Sequence, residues 1–152
     1  MEKRILNVLF GPPKFGEERT TLSFFFSLPG KHFVCGGTTA NAVADYLNKP
    51  LEIELVYIRK DVPPVGKIDG VDLVTEGIVT LKRVEKLLSG RERPEEDGAS
   101  LIYKAMQEAD EIELCCGFLT EGKKELVSSL VALLRERKKT VRIMENVNIN
   151  IK

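Results

Sequence analysis

The sequence predicts an α/β fold in which a mostly parallel sheet of about five or six strands is covered by helices on both faces. Three observations lead there. Short apolar runs alternate with amphipathic helical segments along the chain, and turns bearing glycine or proline separate them. At 152 residues the chain suits one domain spanning 1–152 and is short for two. Its 43% hydrophobic and 30% charged residues are the composition of a chain that buries a core.

Taken in order, Ile5 to Phe10 is a compact apolar run with one Asn, a buried strand, and Gly11-Pro12-Pro13 stops it because proline cannot donate to a sheet ladder. Glu17 to Ser27 reads as a helix with Leu22, Phe25 and Phe26 on one side; Phe24 makes it apolar nearly all round, so it is either deeply buried or covered by a partner. Pro29-Gly30 ends it. Phe33-Val34-Cys35 is the next strand, followed by the turn Gly36-Gly37. Ala40, Val43, Ala44 and Leu47 then recur with the period of one buried helix face, and Asn48-Lys49-Pro50 closes that helix. Leu51 to Ile58 begins as strict alternation with Glu52 and Glu54 on one side, which places it toward a sheet edge.

Asp61 to Gly66 is a stiff loop because Pro64 holds Pro63 extended. Gly70 to Gly77 is another strand running into a helix whose apolar face is Ile78, Leu81, Val84, Leu87 and Leu88. The polar stretch 89–97 is expected to be mobile. Asp97 is placed as the N-cap of a helix carrying Ala99, Ile102, Met106 and Ala109 inward. Ile112 and Leu114 alternate with Glu111 and Glu113 in the strand that ends at Cys115-Cys116-Gly117, and a long helix buries Leu126, Val127, Leu130, Val131 and Leu134. A last strand, Thr140 to Glu145, precedes an Asn-rich alternating tail that suits an edge strand. This alternation is that of a three-layer, Rossmann-like or flavodoxin-like fold.

Lys plus Arg equal Asp plus Glu at 23 each, so no electrostatic argument favours nucleic acid or an anionic membrane. Apolar runs are short and broken by charge, which leaves no transmembrane segment. The three cysteines, Cys35, Cys115 and Cys116, do not form a disulfide pattern. With an N-terminus that lacks the long apolar core of a signal peptide, they predict a cytoplasmic protein. There is no CxxC motif and His32 is the only histidine, so neither a zinc site nor a Ser-His-Asp or Cys-His centre can be assembled. Cys35 is either a small buried strand residue or a thiol activated by the helix start beside it.

In such folds ligands bind beyond the carboxyl ends of the strands, where strand order reverses. The segments expected there are Gly11-Pro12-Pro13, Gly36-Gly37-Thr38-Thr39, Thr75-Glu76-Gly77 and Thr120-Glu121-Gly122. The repeated Thr-Glu-Gly fits two equivalent helix starts. Gly36-Gly37-Thr38-Thr39 is neither GxGxxG nor a Walker A loop, since no lysine follows the glycines. Free amides and the helix dipole make it a place for a small anionic or polar ligand, with Thr38 or Thr39 capping the helix or facing the ligand. The same residues also suit a plain, well-capped turn. Asp72 and Glu76 would need partners if buried, and Glu76 also suits a helix start. The expected ligand-binding set is Gly36, Gly37, Thr38, Thr39, Asn41, Asp72, Thr75, Glu76 and Gly77, with no catalytic or metal-ligating residue and no cofactor assigned.

Gly11-Pro12-Pro13, the block Cys35-Gly36-Gly37-Thr38-Thr39-Ala40-Asn41, Pro63-Pro64, and Gly70 to Gly77 followed by Thr80-Leu81 carry a resemblance. Over residues 5 to 90 the chain resembles the C-terminal accessory domain of bacterial SpoIIE-like phosphatases, which are PPM-type, metal-dependent serine/threonine phosphatases. From Asp97 onward the agreement is mainly in the helix and strand pattern. Asp69-Gly70-Val71 is superficially similar to a metal-binding motif of the catalytic domain but lacks an upstream partner. The resemblance therefore implies a non-catalytic regulatory module of bacterial signalling, with a serine phosphatase or another signalling protein as partner. Two alternatives stand beside it. One is a small hydrolase using Thr38 or Thr39, since Gly-Gly-Thr after a strand is similar to the nucleophile threonine of bacterial asparaginases, although no Thr-Asp motif accompanies it. The other is an interaction domain that forms a homodimer through the Phe24-Phe25-Phe26 helix or the Asn-rich tail.

Overall fold

The computed structural model describes residues 3–53, 65–95 and 97–145. Its strands are β1 (Ile5–Phe10), β2 (Lys31–Cys35), β3 (Glu52–Ile53), β4 (Gly66–Lys67), β5 (Leu73–Thr75), β6 (Glu111–Cys116) and β7 (Thr140–Glu145). Its helices are α1 (Glu18–Ser27), α2 (Gly37–Leu47), α3 (Ile78–Leu88), α4 (Gly98–Glu108) and α5 (Glu121–Glu136). The strands form one sheet in the order β3-β4-β5-β2-β1-β6-β7. The five strands β5, β2, β1, β6 and β7 are all parallel, while β3 and β4 pair antiparallel at one edge.

Alternate residues of each strand face opposite layers, so the two faces collect separate cores. On one face Leu9, Val34, Val74 and Cys115 pack beneath Leu22 and Phe25 of α1 and Ala40 and Val43 of α2. On the other, Leu6, Val8, Phe10, Ile112 and Leu114 pack beneath α3, α4 and α5. The fold is thus the three-layer, Rossmann-like α/β arrangement that the alternation predicts. The sheet holds seven strands rather than five or six: β3 opens the alternating stretch read from Leu51 and lies at the edge, as expected, while the two-residue β4 beside it leaves no periodicity in the sequence.

Most elements fall where the patterns place them. Asp97 caps α4, its carboxylate accepting from the Ser100 amide at 2.7 Å. Burial alone would raise that carboxyl, but the Ser100 amide and hydroxyl and the Arg83 guanidinium outweigh it and hold Asp97 below the ordinary carboxylate range. The polar stretch before α4 is tied to α3 by the buried Arg83. Its guanidinium meets Asp97 at 2.9 Å, pairs with Glu92 and donates to the Arg93 carbonyl at 3.0 Å. Glu111 and Glu113 are not a wet face: both are buried in β6, paired with Lys3 and Arg142 respectively.

The aromatic side chains of α1 are engaged within the chain. Phe25 is fully buried, its ring centroid 5.0 Å from that of His32, and Phe26 stacks on Tyr46 at 6.2 Å. Beyond Ile53, the strand expected to run to Ile58, the Pro63-Pro64 loop and the Asn-rich tail lie outside the described residues. Among the described residues no helix is long and apolar enough to cross a membrane.

Candidate ligand-binding crevice

From β1 the chain passes to β2 on one side and returns to β6 on the other, so the strand order reverses between the parallel strands β1 and β6. Loops leaving adjacent strands in opposite directions part at such a point and leave a crevice beyond the carboxyl ends. A hollow of about 270 Å³ lies there. Phe10, Gly11 and Pro12 line it from β1, Gly36 to Thr39 from β2 and α2, Glu76 to Ile78 ahead of and into α3, and Phe118, Thr120 and Lys123 from beyond β6. Two further hollows, of about 240 and 330 Å³, include Lys31 and Glu108 at the opposite strand ends, so volume does not single out the crevice. Its main chain does.

Gly36 has φ of 120°, a left-handed conformation that favours glycine, and its amide donates to the Thr75 carbonyl at 2.9 Å. A Cβ on Gly77 would stand 3.3 Å from the Gly36 Cα and 3.2 Å from the Phe10 ring. The turns leaving β2 and β5 therefore touch through backbone, and side chains there would hold them apart.

Gly36, not a threonine, occupies the N-cap of α2, and no side chain caps that helix. Thr38 and Thr39 sit in its first turn, Thr38 exposed and Thr39 buried. The expectation of a threonine cap is corrected: with Gly36 drawn onto Thr75, the helix begins one or two residues before either hydroxyl can reach back. α5 also starts without a side-chain cap, from Thr120. By contrast Glu76 Oε1 accepts from the amides of Val79 at 3.0 Å and Thr80 at 3.3 Å, so the first turn of α3 is satisfied. The two Thr-Glu-Gly stretches are not equivalent. Thr75 ends a strand and Gly77 precedes α3, whereas Gly122 lies inside α5.

Helix starts carry about half a positive charge each and free amides, so α2 and α5 present two anion-attracting ends to one cavity. Lys123, in the first turn of α5, adds an ammonium group whose Nζ lies 5.8 Å from the centroid of the Phe10 ring. Phe118, 68% exposed, stands at the rim.

Of the expected residues, Gly36, Gly37, Thr38, Thr39, Glu76 and Gly77 share the crevice wall. Thr75 lies behind it, buried, with its hydroxyl donating to the Glu76 carbonyl at 2.8 Å. Asn41 is exposed, further along α2. Asp72 stands at the opposite end of β5, where its carboxylate accepts from the His32 amide at 2.7 Å. Phe118 and Lys123 escaped the sequence reading, although they flank Thr120-Glu121-Gly122, a segment expected at the crevice. Cys35 is fully buried against the crevice; burial, with Glu76 adding and a Thr75 hydrogen bond opposing, pushes its thiol up to about 12. A thiol so held stays protonated and inert. No family profile, no curated protein and no solved structure matches the chain.

Proposed function

We propose that this chain is a non-catalytic, cytoplasmic ligand-binding module whose crevice takes a small anion bearing phosphate or carboxylate. One observation carries the reading: the uncapped starts of α2 and α5 and the Lys123 ammonium open onto the same cavity, while the nearby Glu76 carboxylate is bound to α3. Two half-charges and one whole charge outweigh the Glu76 carboxylate already shared between two amides, and Glu121 in the first turn of α5 does not line the hollow, its exposed carboxylate lying 3.9 Å from Lys124. The hydrolase alternative has less support. Thr38 is exposed beside no histidine, and His32 has its ring Nε2 3.0 Å from the Phe25 carbonyl oxygen. The resemblance of residues 5 to 90 to the accessory domain of SpoIIE-like phosphatases supports a regulatory use, in which the bound anion biases a serine/threonine phosphatase.

The test is thermal unfolding with rising inorganic phosphate, for the native chain and for Gly37→Val. A Cβ at Gly37 meets nothing within 4 Å, so the variant keeps its fold and fills the cavity mouth. Saturation at about 100 times Kd should raise Tm by about 5–10 °C in the native chain and leave Gly37→Val unmoved. Equal shifts in both, or none with phosphate and small carboxylates, would remove the assignment.

A further inference from the structure

Away from the crevice, Asn7, Glu113 and Arg142 stand side by side on three adjacent parallel strands. Asn7 of β1 is paired with Glu113 of β6, and Glu113 with Arg142 of β7, so the three side chains share the face beneath α1 and α2. Asn7 is fully buried and Glu113 is 5% exposed. The Asn7 amide nitrogen donates to the carbonyls of Pro29 and Lys31, each at 2.9 Å and each on the β2 side. Its Oδ1 is therefore turned the other way, toward β6. Exchanging the amide's oxygen and nitrogen would set Oδ1 against two carbonyl oxygens, so this orientation is fixed by its partners. Glu113 Oε1 faces Arg142 Nη1 at 3.6 Å on the β7 side, which leaves Oε2 as the carboxylate oxygen without a cation. Asn7 Oδ1 and Glu113 Oε2 are both buried, and neither has a hydrogen-bond donor.

Two buried, donorless acceptors on directly paired residues of adjacent strands are costly through lost hydration, and through mutual repulsion if they approach. One proton removes both costs. We propose that Glu113 is carried as a neutral carboxylic acid whose Oε2–H donates to Asn7 Oδ1, clasping β6 to β1, and that loss of this proton loosens the seam.

The charged and titratable surroundings agree. Burial raises the Glu113 carboxyl above the ordinary carboxylate range, Arg142 pulls against it and Glu111 adds to the rise. Arg142 is largely exposed, so its compensation is weak. Glu111, on the same face of β6, is occupied by Lys3 at 2.9 Å. Cys115, also on that face, is itself held neutral, its thiol pushed up to about 12 chiefly by burial. His32 lies one strand beyond Asn7, its ring engaged with Phe25.

For an acid whose folded pKa is raised, the folded chain binds the proton more tightly than the unfolded one. Stability is then full below the unfolded value near 4.3 and falls as pH rises toward the folded value. Glu113→Gln keeps the shape and supplies a permanent N–H toward Asn7. Tm of the native chain should fall by about 3–5 °C for each tenfold tightening of the proton as pH rises from 5 to 9. Glu113→Gln should lack that part of the slope and exceed the native chain at high pH. Every other ionisable group is common to both proteins, so the difference between them isolates Glu113. Carboxyl-carbon NMR of the native chain gives an independent reading, with a midpoint for Glu113 above the free-glutamate value. Identical slopes in the two proteins, or a midpoint at or below that value, would overturn the clasp.

Discussion

Gly117 and Pro12 meet main chain to main chain. The Phe118 amide donates to the Pro12 carbonyl at 3.0 Å, and a Cβ on Gly117 would overlap that same oxygen and stand 2.6 Å from the Gly11 oxygen. The loops leaving β1 and β6 are thereby locked together beneath the crevice. Gly117→Ala should cost about 3 kcal/mol or prevent folding, because backbone rather than a flexible side chain must give way. Urea unfolding measures it; a loss below about 1 kcal/mol would contradict the packing.

Lys123→Met keeps the aliphatic stem over Phe10 and removes the ammonium. Basal stability should stay within about 0.5 kcal/mol, the usual range for a surface change. Calorimetric titration with phosphate should show affinity reduced about five- to tenfold, with a weaker dependence on salt.

Asp97 joins the start of α4 to the buried Arg83. Its carboxyl is held low in the folded chain, so the stability it supplies is present above the unfolded value near 3.9 and is lost as pH falls through the folded one. Asp97→Ala should cost about 2–4 kcal/mol at neutral pH, combining a lost cap with a buried guanidinium left to Glu92 and Glu95. Acid unfolding of this variant below pH 4 should be shallower than that of the native chain.

Cys35, Cys115 and Cys116 are all buried, and burial is the main reason the first two thiols are pushed up to about 12. A thiol reagent at pH 8 should label none of them in the folded protein and all three in denaturant. Rapid labelling of Cys35 in the folded state would revive a redox role beside the crevice.

Where a segment buries one face, its periodicity declares it: α2, α3 and α5 could be read from Leu, Val, Ile and Ala spacing alone, and β1, buried on both faces, from its compact apolar run. β3 falls at the start of the alternating stretch read from Leu51, at the sheet edge expected for it; β4 could not be read, since a two-residue strand has no period and exists through its neighbour. The alternation of Glu111 and Glu113 with Ile112 and Leu114 did not reveal that both glutamates are buried, because the cations beside them, Lys3 ahead of β1 and Arg142 of β7, are remote in sequence. The crevice turn at Gly36-Gly37 was legible as a strand-to-helix junction. Asp72 was grouped with Glu76 because the two are four residues apart, yet an extended chain separates such residues by about 13 Å. Lys123 depended on how α5 is angled at its start, which no local pattern encodes.

The placement of β1 has a consequence for synthesis on the ribosome. Its β6-facing edge finds no mate until residues 111–116 have emerged. Before α3 and α4 have emerged, Leu6, Val8 and Phe10, which end beneath α3, α4 and α5, have only α1 and α2 on the opposite side of the sheet. The first half of the nascent polypeptide is thus a half-covered slab with an open strand edge, the kind of intermediate that chaperones retain and that aggregates when truncated.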